Sequence, residues 1–124
     1  MYPPAHAVGA SEALSNEGTM LFHLGRHAAA VALWEEAVAL DPTDTLTQLN
    51  LGMQYLNSSD IGAAQSKVEQ VIEQEPHNAR AYNLRGVILQ RLGRLEQARG
   101  AYAVALELDP QSPDAARNLD ALNG

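Results

Sequence analysis

His23 and His27 stand four residues apart, the spacing at which two imidazoles on one helix face can share a metal ion. Gly25 lies between them at a turn signal and no thiol or carboxylate completes a ligand set, so groove-edge or surface histidines are expected and no metal is assigned. Glu35 and Glu36 are the most conspicuous carboxylate pair. Neighbours on a helix diverge by about 100°, so the two cannot flank one substrate atom and belong to a solvated face. No glycine-rich phosphate loop, nucleophile elbow or Ser-His-Asp order occurs. The residues therefore predict no active site, no cofactor and no enzyme.

What remains to do chemistry is charge and apolar surface. Fifteen acidic against eight basic residues give a net charge of −7, which repels phosphate backbones and anionic lipid, so nucleic acid is not an expected partner. The charge is uneven, because five arginines (Arg80, Arg85, Arg91, Arg94 and Arg99) gather between residues 79 and 112. The absence of cysteine removes disulfides and thiolate chemistry but does not fix a compartment: cytoplasmic is the default, periplasmic the alternative if the chain is a fragment. No stretch reaches the ~20 apolar residues of a membrane span, and the opening Met1-Tyr2-Pro3-Pro4 lacks the basic start of a signal peptide. No membrane insertion by this chain is expected.

The elements that must position these groups follow a fixed ruler. Pro42, Pro76 and Pro110 recur every 34 residues, each behind an acid (Asp41, Glu75 and Asp109). Aligning 11–44, 45–78 and 79–112 puts Gly18, Gly52 and Gly86 in one column and Ala30, Ala64 and Ala98 in another, two small columns that imply close helix contact. Large columns complement them: Leu21, Tyr55 and Leu89, then Trp34, Val68 and Tyr102. With 46% apolar but only 5% aromatic residues and few Val or Ile, packed helices are favoured over sheet. Each block ends in a helix N-cap, Asp44, Asn78 or Ser112, and Gly25 and Gly93 sit where a left-handed helix terminus is wanted, with Ser58-Ser59-Asp60 as the middle counterpart. Helices are predicted near 11–24, 28–40, 45–57, 61–74, 79–92 and 95–108. Pro113 and the apolar face of Ala115, Ala116, Leu119 and Leu122 add a capping helix.

This pattern closely resembles the tetratricopeptide repeat family. The third block carries Tyr82, Gly86, Leu89, Ala98, Tyr102, Ala105 and Pro110; the second carries Leu51-Gly52, Tyr55, Ala64, Val68, Val71 and Pro76; the first, looser, carries Leu14, Gly18, Leu21, Ala30, Trp34, Ala37 and Pro42. Gln48, Glu17 and Arg85 depart from it, the first at a large position and the others where Leu is usual. The resemblance implies an all-α, right-handed α-solenoid of antiparallel helix pairs, with an N-terminal extension at 1–10, repeats at 11–44, 45–78 and 79–112, and a capping helix at 113–124.

The resemblance also implies that the first helix of every repeat lines a concave groove. The first repeat contributes Ser15, Asn16, Thr19 and Phe22, the second Leu46, Leu49, Asn50, Met53, Leu56 and Asn57, and the third Arg80, Asn83, Leu84, Val87 and Arg91. Leu46, Leu49, Met53 and Leu56 form a second apolar stripe beside the core-facing Leu51 and Tyr55. Such a stripe fits a groove for a peptide or helix of another protein. The alternative is burial against neighbouring helices, against the segment from Tyr2 to Val8, or against a second copy. Arg80 and Arg91 could grip a carboxylate, with solvated surface arginine as the alternative. Some family members clamp the C-terminal carboxylate of a chaperone through basic and Asn residues. Here Ser15 and Thr19 occupy the first-repeat sites and Leu84 a third-repeat basic site, so that only Asn50 and Arg80 are suggestive, which argues against that ligand. The expected function is a scaffold or adaptor. The alternatives are a targeting or assembly module of a larger enzyme or secretion machine, and a homo-oligomerising structural domain.

Overall fold

The computed structural model describes residues 5–124, so Tyr2 and the rest of the first four residues lie outside it. Seven helices follow in order: α1 (Ala5–His23), α2 (His27–Leu40), α3 (Thr45–Asn57), α4 (Ile61–Gln74), α5 (Ala79–Arg91), α6 (Leu95–Leu108) and α7 (Pro113–Asn123). No strand occurs among the described residues. Each helix packs on the next, as expected of a solenoid whose units bury surface on their neighbours.

The turns repeat as the sequence columns do. After α1, the Arg26 amide donates to the Leu21 carbonyl (2.9 Å) and the Gly25 amide to the Phe22 carbonyl (3.0 Å), the paired bonds that close a helix on a left-handed residue. The same pair recurs from Asp60 and Ser59 after α3 and from Arg94 and Gly93 after α5. Gly25 and Gly93 have φ of 82° and 79°, and Ser59 adopts 65° in the same place. Asp44, Asp60, Asn78 and Ser112 each accept the amide three residues on, capping α3, α4, α5 and α7.

The small columns meet large ones. A methyl group added at Gly18 would stand 2.7 Å from the Trp34 ring, and one at Gly86 2.6 Å from Cδ1 of Tyr102, so the first and third helix pairs close by seating an aromatic ring on a bare backbone. Leu51 joins Ala30 and Trp34 in one core cluster, while Leu49, Leu56, Leu84 and Ile88 join Ala64, Val68 and Val71 in the other. Gln48 is buried as well, its amide donating to the Pro42 carbonyl. A large position is thus filled by a polar side chain tied to the preceding turn.

One boundary differs from expectation. Helix α1 begins at Ala5 instead of near residue 11, because Ala7 and Ser11 are buried and the Ser11 hydroxyl donates to the Ala37 carbonyl (2.9 Å), which holds the added turns against α2. The odd-numbered helices α3, α5 and α7 pack on one another, whereas α2, α4 and α6 do not pack together to a comparable extent. The stack therefore curves with α1, α3, α5 and α7 on its inner face.

Candidate functional site

Three adjoining hollows lie along the inner face. Near the start of the chain, Glu12, Ser15 and Asn16 of α1 face Leu46 and Thr47 of α3 across about 310 Å³. Further along, Thr19, Phe22 and His23 face Asn50, Met53 and Gln54 across about 200 Å³. Between α3 and α5, Leu49, Asn50 and Met53 face Arg80, Asn83 and Leu84 across about 140 Å³, and Ser112 and Asp114 at the start of α7 close the end. Asn50 and Met53 line both of the last two hollows, so these adjoin along α3.

The helical periodicity of α3 explains the division of labour. Leu46, Asn50 and Met53 face the hollows, with Asn50 half-buried, while Leu49 and Leu56 pack with residues of α4 and α5. Met53 is 41% exposed and Leu46 53% exposed, but Leu49, Leu56 and Leu84 are buried in the second core cluster. The apolar stripe read from the sequence therefore splits: Leu49 and Leu84 make the floor of the central hollow, Leu56 is core, and only Leu46 and Met53 offer apolar surface. Asn57, at the end of α3, is exposed outside these hollows.

Several polar groups are engaged within the fold. The Ser15 hydroxyl shares a 2.6 Å hydrogen bond with the Thr47 hydroxyl, and the Ser15 carbonyl accepts from both Thr19 Oγ1 (3.0 Å) and Trp34 Nε1 (3.1 Å). Asn83 accepts from Asn118 Nδ2 at 3.1 Å, which ties α5 to α7. Arg91 donates to the Leu56 carbonyl (3.4 Å) at the end of α3, and with Val87 it borders a separate hollow of about 420 Å³ against Tyr102 and Asn118. Among the described residues Arg80 enters no ion pair, and it stands exposed at the rim of the central hollow. It is the basic group best placed to meet a ligand carboxylate.

Sequence reasoning missed the contribution of α7, since Ser112 and Asp114 reach the groove only because that helix folds back beside α5. It also missed how the histidines are used. The His27 ring stacks on Phe22 (centroids 4.7 Å apart, 17° between planes) and the His23 ring meets Phe22 edge-on at 5.6 Å, so one aromatic ring stands between the two imidazoles. Glu35 and Glu36 are both exposed. Burial raises the Tyr55 phenol above the ordinary tyrosine value, and the Glu35 and Asp60 carboxylates raise it further.

Comparison with known proteins bears on the family and the fold. Sequence models described as "Tetratricopeptide repeat" match residues 49–113 and residues 11–44. Human tetratricopeptide repeat protein 33 is 26% identical over 104 residues, 84% of this chain and 40% of the relative. A protein O-mannosyl-transferase of Caenorhabditis elegans is 24% identical over 103 residues, 83% of this chain but 15% of the relative. The chain thus spans less than half the length of these relatives. Among solved structures, the first such domain of Spaghetti (RPAP3), bound to the HSP90 peptide SRMEEVD, superposes with a TM-score of 0.85 at 22% identity, covering 94% of this chain and 92% of that one.

Proposed function

Because the chain belongs to the tetratricopeptide repeat family, we propose that it is a protein-interaction module that takes a segment of another polypeptide into its concave groove. The observation that carries this reading is Met53, an exposed apolar side chain at the junction of two hollows, ringed by Asn50, Asn83 and Arg80. An apolar anchor removes area from water, and amide and guanidinium groups around it satisfy a ligand backbone or carboxylate. The ligand supported is an amphipathic helix or extended segment with one or two apolar anchors and an acidic group near Arg80. An acidic tail such as the one bound by the structural neighbour finds less here, since Ser15 and Thr19 are occupied by internal hydrogen bonds and Leu84 forms apolar floor. No reaction is assigned to the chain, and its negative charge supports a protein partner over nucleic acid.

A panel of labelled amphipathic peptides with Leu or Met anchors, titrated by fluorescence anisotropy, tests this. Met53→Glu leaves the core closed, unlike a change at buried Leu49, and is expected to weaken a bound peptide by roughly tenfold, about 1.4 kcal/mol. Arg80→Ala should weaken acidic peptides selectively. Undiminished binding by a folded Met53→Glu variant would remove the groove as the site.

The chain's coverage of 40% and 15% of its relatives favours a second reading, in which this segment targets or assembles a longer polypeptide through the same groove. Immunoblotting the native source with an antibody to residues 79–112 separates the two by the mass detected. Sedimentation at several concentrations tests the homo-oligomer alternative, which requires a dimer that Met53→Glu dissociates.

A further inference from the structure

Among the described residues, the face that joins one repeat to the next is left exposed in the first repeat. In the second and third repeats its α3 and α5 columns are buried: Thr47 and Ala81 are 1% and 0% exposed, and Gln54 and Ile88 7% and 2%. The first-repeat members of those columns are Ala13, which is exposed, and Met20, which is 66% exposed. A third column shows what the cover supplies. Leu51 is buried against Ala30 and Trp34 of the preceding repeat, and Arg85 donates to Glu69 of preceding α4 (Nε to Oε2 3.0 Å). In the first repeat this column holds Glu17, exposed. On the second helix, Gly100, Ala101 and Val104 border the cavity against Val68 and Glu69 of α4, and their first-repeat counterparts are Ala32, Leu33 and Glu36.

We infer that this outward face of α1 and α2 docks an amphipathic helix of a different polypeptide, lying across α1 as α4 lies across α5 and carrying a basic residue opposite Glu17 where Glu69 stands opposite Arg85. The apolar Ala13, Met20 and Leu33 supply the seam, and the carboxylates Glu17 and Glu36 set its charge. Among the described residues none supplies the cover in repeat register. Where the later repeats are entered through the turns at Pro42 and Pro76, the equivalent Val8 lies inside α1, which runs through as helix. A second copy is disfavoured because a two-fold pairing of this face brings the Glu17 and Glu36 carboxylates of both copies into one interface. The face is separate from the groove and does not depend on what the groove binds.

The probe is a synthetic peptide of the α4 sequence Ile61–Gln74, held helical by a lactam bridge on its outward side, in its native form and with Glu69→Arg. Titrated by anisotropy with the full chain, the Glu69→Arg peptide is expected to bind about fivefold more tightly than the native peptide, the scale of one partly exposed ion pair. Glu17→Arg in the chain should invert that order, Glu36→Arg should weaken the Glu69→Arg peptide, and Met20→Asp should weaken both by roughly tenfold. Met53→Glu should change neither, which separates this face from the groove. Absence of saturable binding by the Glu69→Arg peptide, an order that does not invert, or loss of binding with Met53→Glu would overturn the inference. So would a concentration-dependent dimer that Met20→Asp abolishes, since the occupant would then be a second copy.

Discussion

Gly86 is the least replaceable of the three aligned glycines, because the ring it faces cannot yield. Tyr102 is fully buried and its hydroxyl donates to Gln90 Oε1 at 2.8 Å, so a methyl group 2.6 Å from Cδ1 must displace a fixed side chain. Gly86→Ala gains about 1 kcal/mol of helix propensity and loses about 2–3 kcal/mol to overpacking, which predicts a lower Tm. Gly18→Ala should behave alike, since it presses on Trp34 and on its bond to the Ser15 carbonyl. Gly52→Ala should be neutral or stabilising, because its nearest neighbour is the flexible Leu84 Cδ2 at 3.2 Å. Thermal melts of the three variants check this order. Tyr102 also titrates above the ordinary tyrosine value, raised by burial. The unfolded chain, with its phenol near pH 10, therefore loses the proton first. The contribution of Tyr102 is complete below about pH 10 and lost as pH rises through the folded value. Denaturant titrations at alkaline pH should show this slope in the native chain and a shallower one in Tyr102→Phe.

At the scale of the element, the three turns between paired helices share one geometry but not one residue set, which makes their differences predictive. Ser59 holds φ 65° where Gly25 and Gly93 stand, at a cost of about 1 kcal/mol for a residue with a Cβ. Ser59→Gly should recover roughly that amount. One residue later, Asp60 caps α4 by accepting from the Ala63 amide at 3.1 Å, whereas Arg26 and Arg94 give α2 and α6 no side-chain cap. Arg94→Asp should stabilise by about 0.5–1 kcal/mol, and Asp44→Ala, which removes the cap of α3, should cost about 1 kcal/mol. Denaturant midpoints at constant m-value measure all three changes. These turns and caps were legible in the sequence because they depend on a few adjacent residues. The early start of α1 was not, since it rests on the contact of Ser11 with Ala37, 26 residues away.

For the whole molecule, near-neighbour packing predicts that damage stays local. Removing residues 113–124 uncovers α6 and deletes the bond from Asn118 to Asn83, so amides of α5 and α6 should exchange faster by hydrogen exchange while those of α1 and α2 keep their protection. Uniformly faster exchange would show that the stack unfolds as one unit. The same one-dimensional build gives the molecule two kinds of surface: an inner groove centred on Met53, and an end face at Met20, whose counterparts Gln54 and Ile88 in the later repeats are buried.

The sequence by itself determined the period, the helix pairs, the glycine-to-aromatic seating and the caps, because each depends on residue type at fixed spacing along one or two helices. Only the tertiary structure decided which apolar residues face outward. Leu46, Leu49, Met53 and Leu56 share one apolar pattern, yet α4 and α5 bury the second and fourth and leave the first and third exposed. That division depends on how neighbouring helices cross, a relation between elements that periodicity within one helix does not encode.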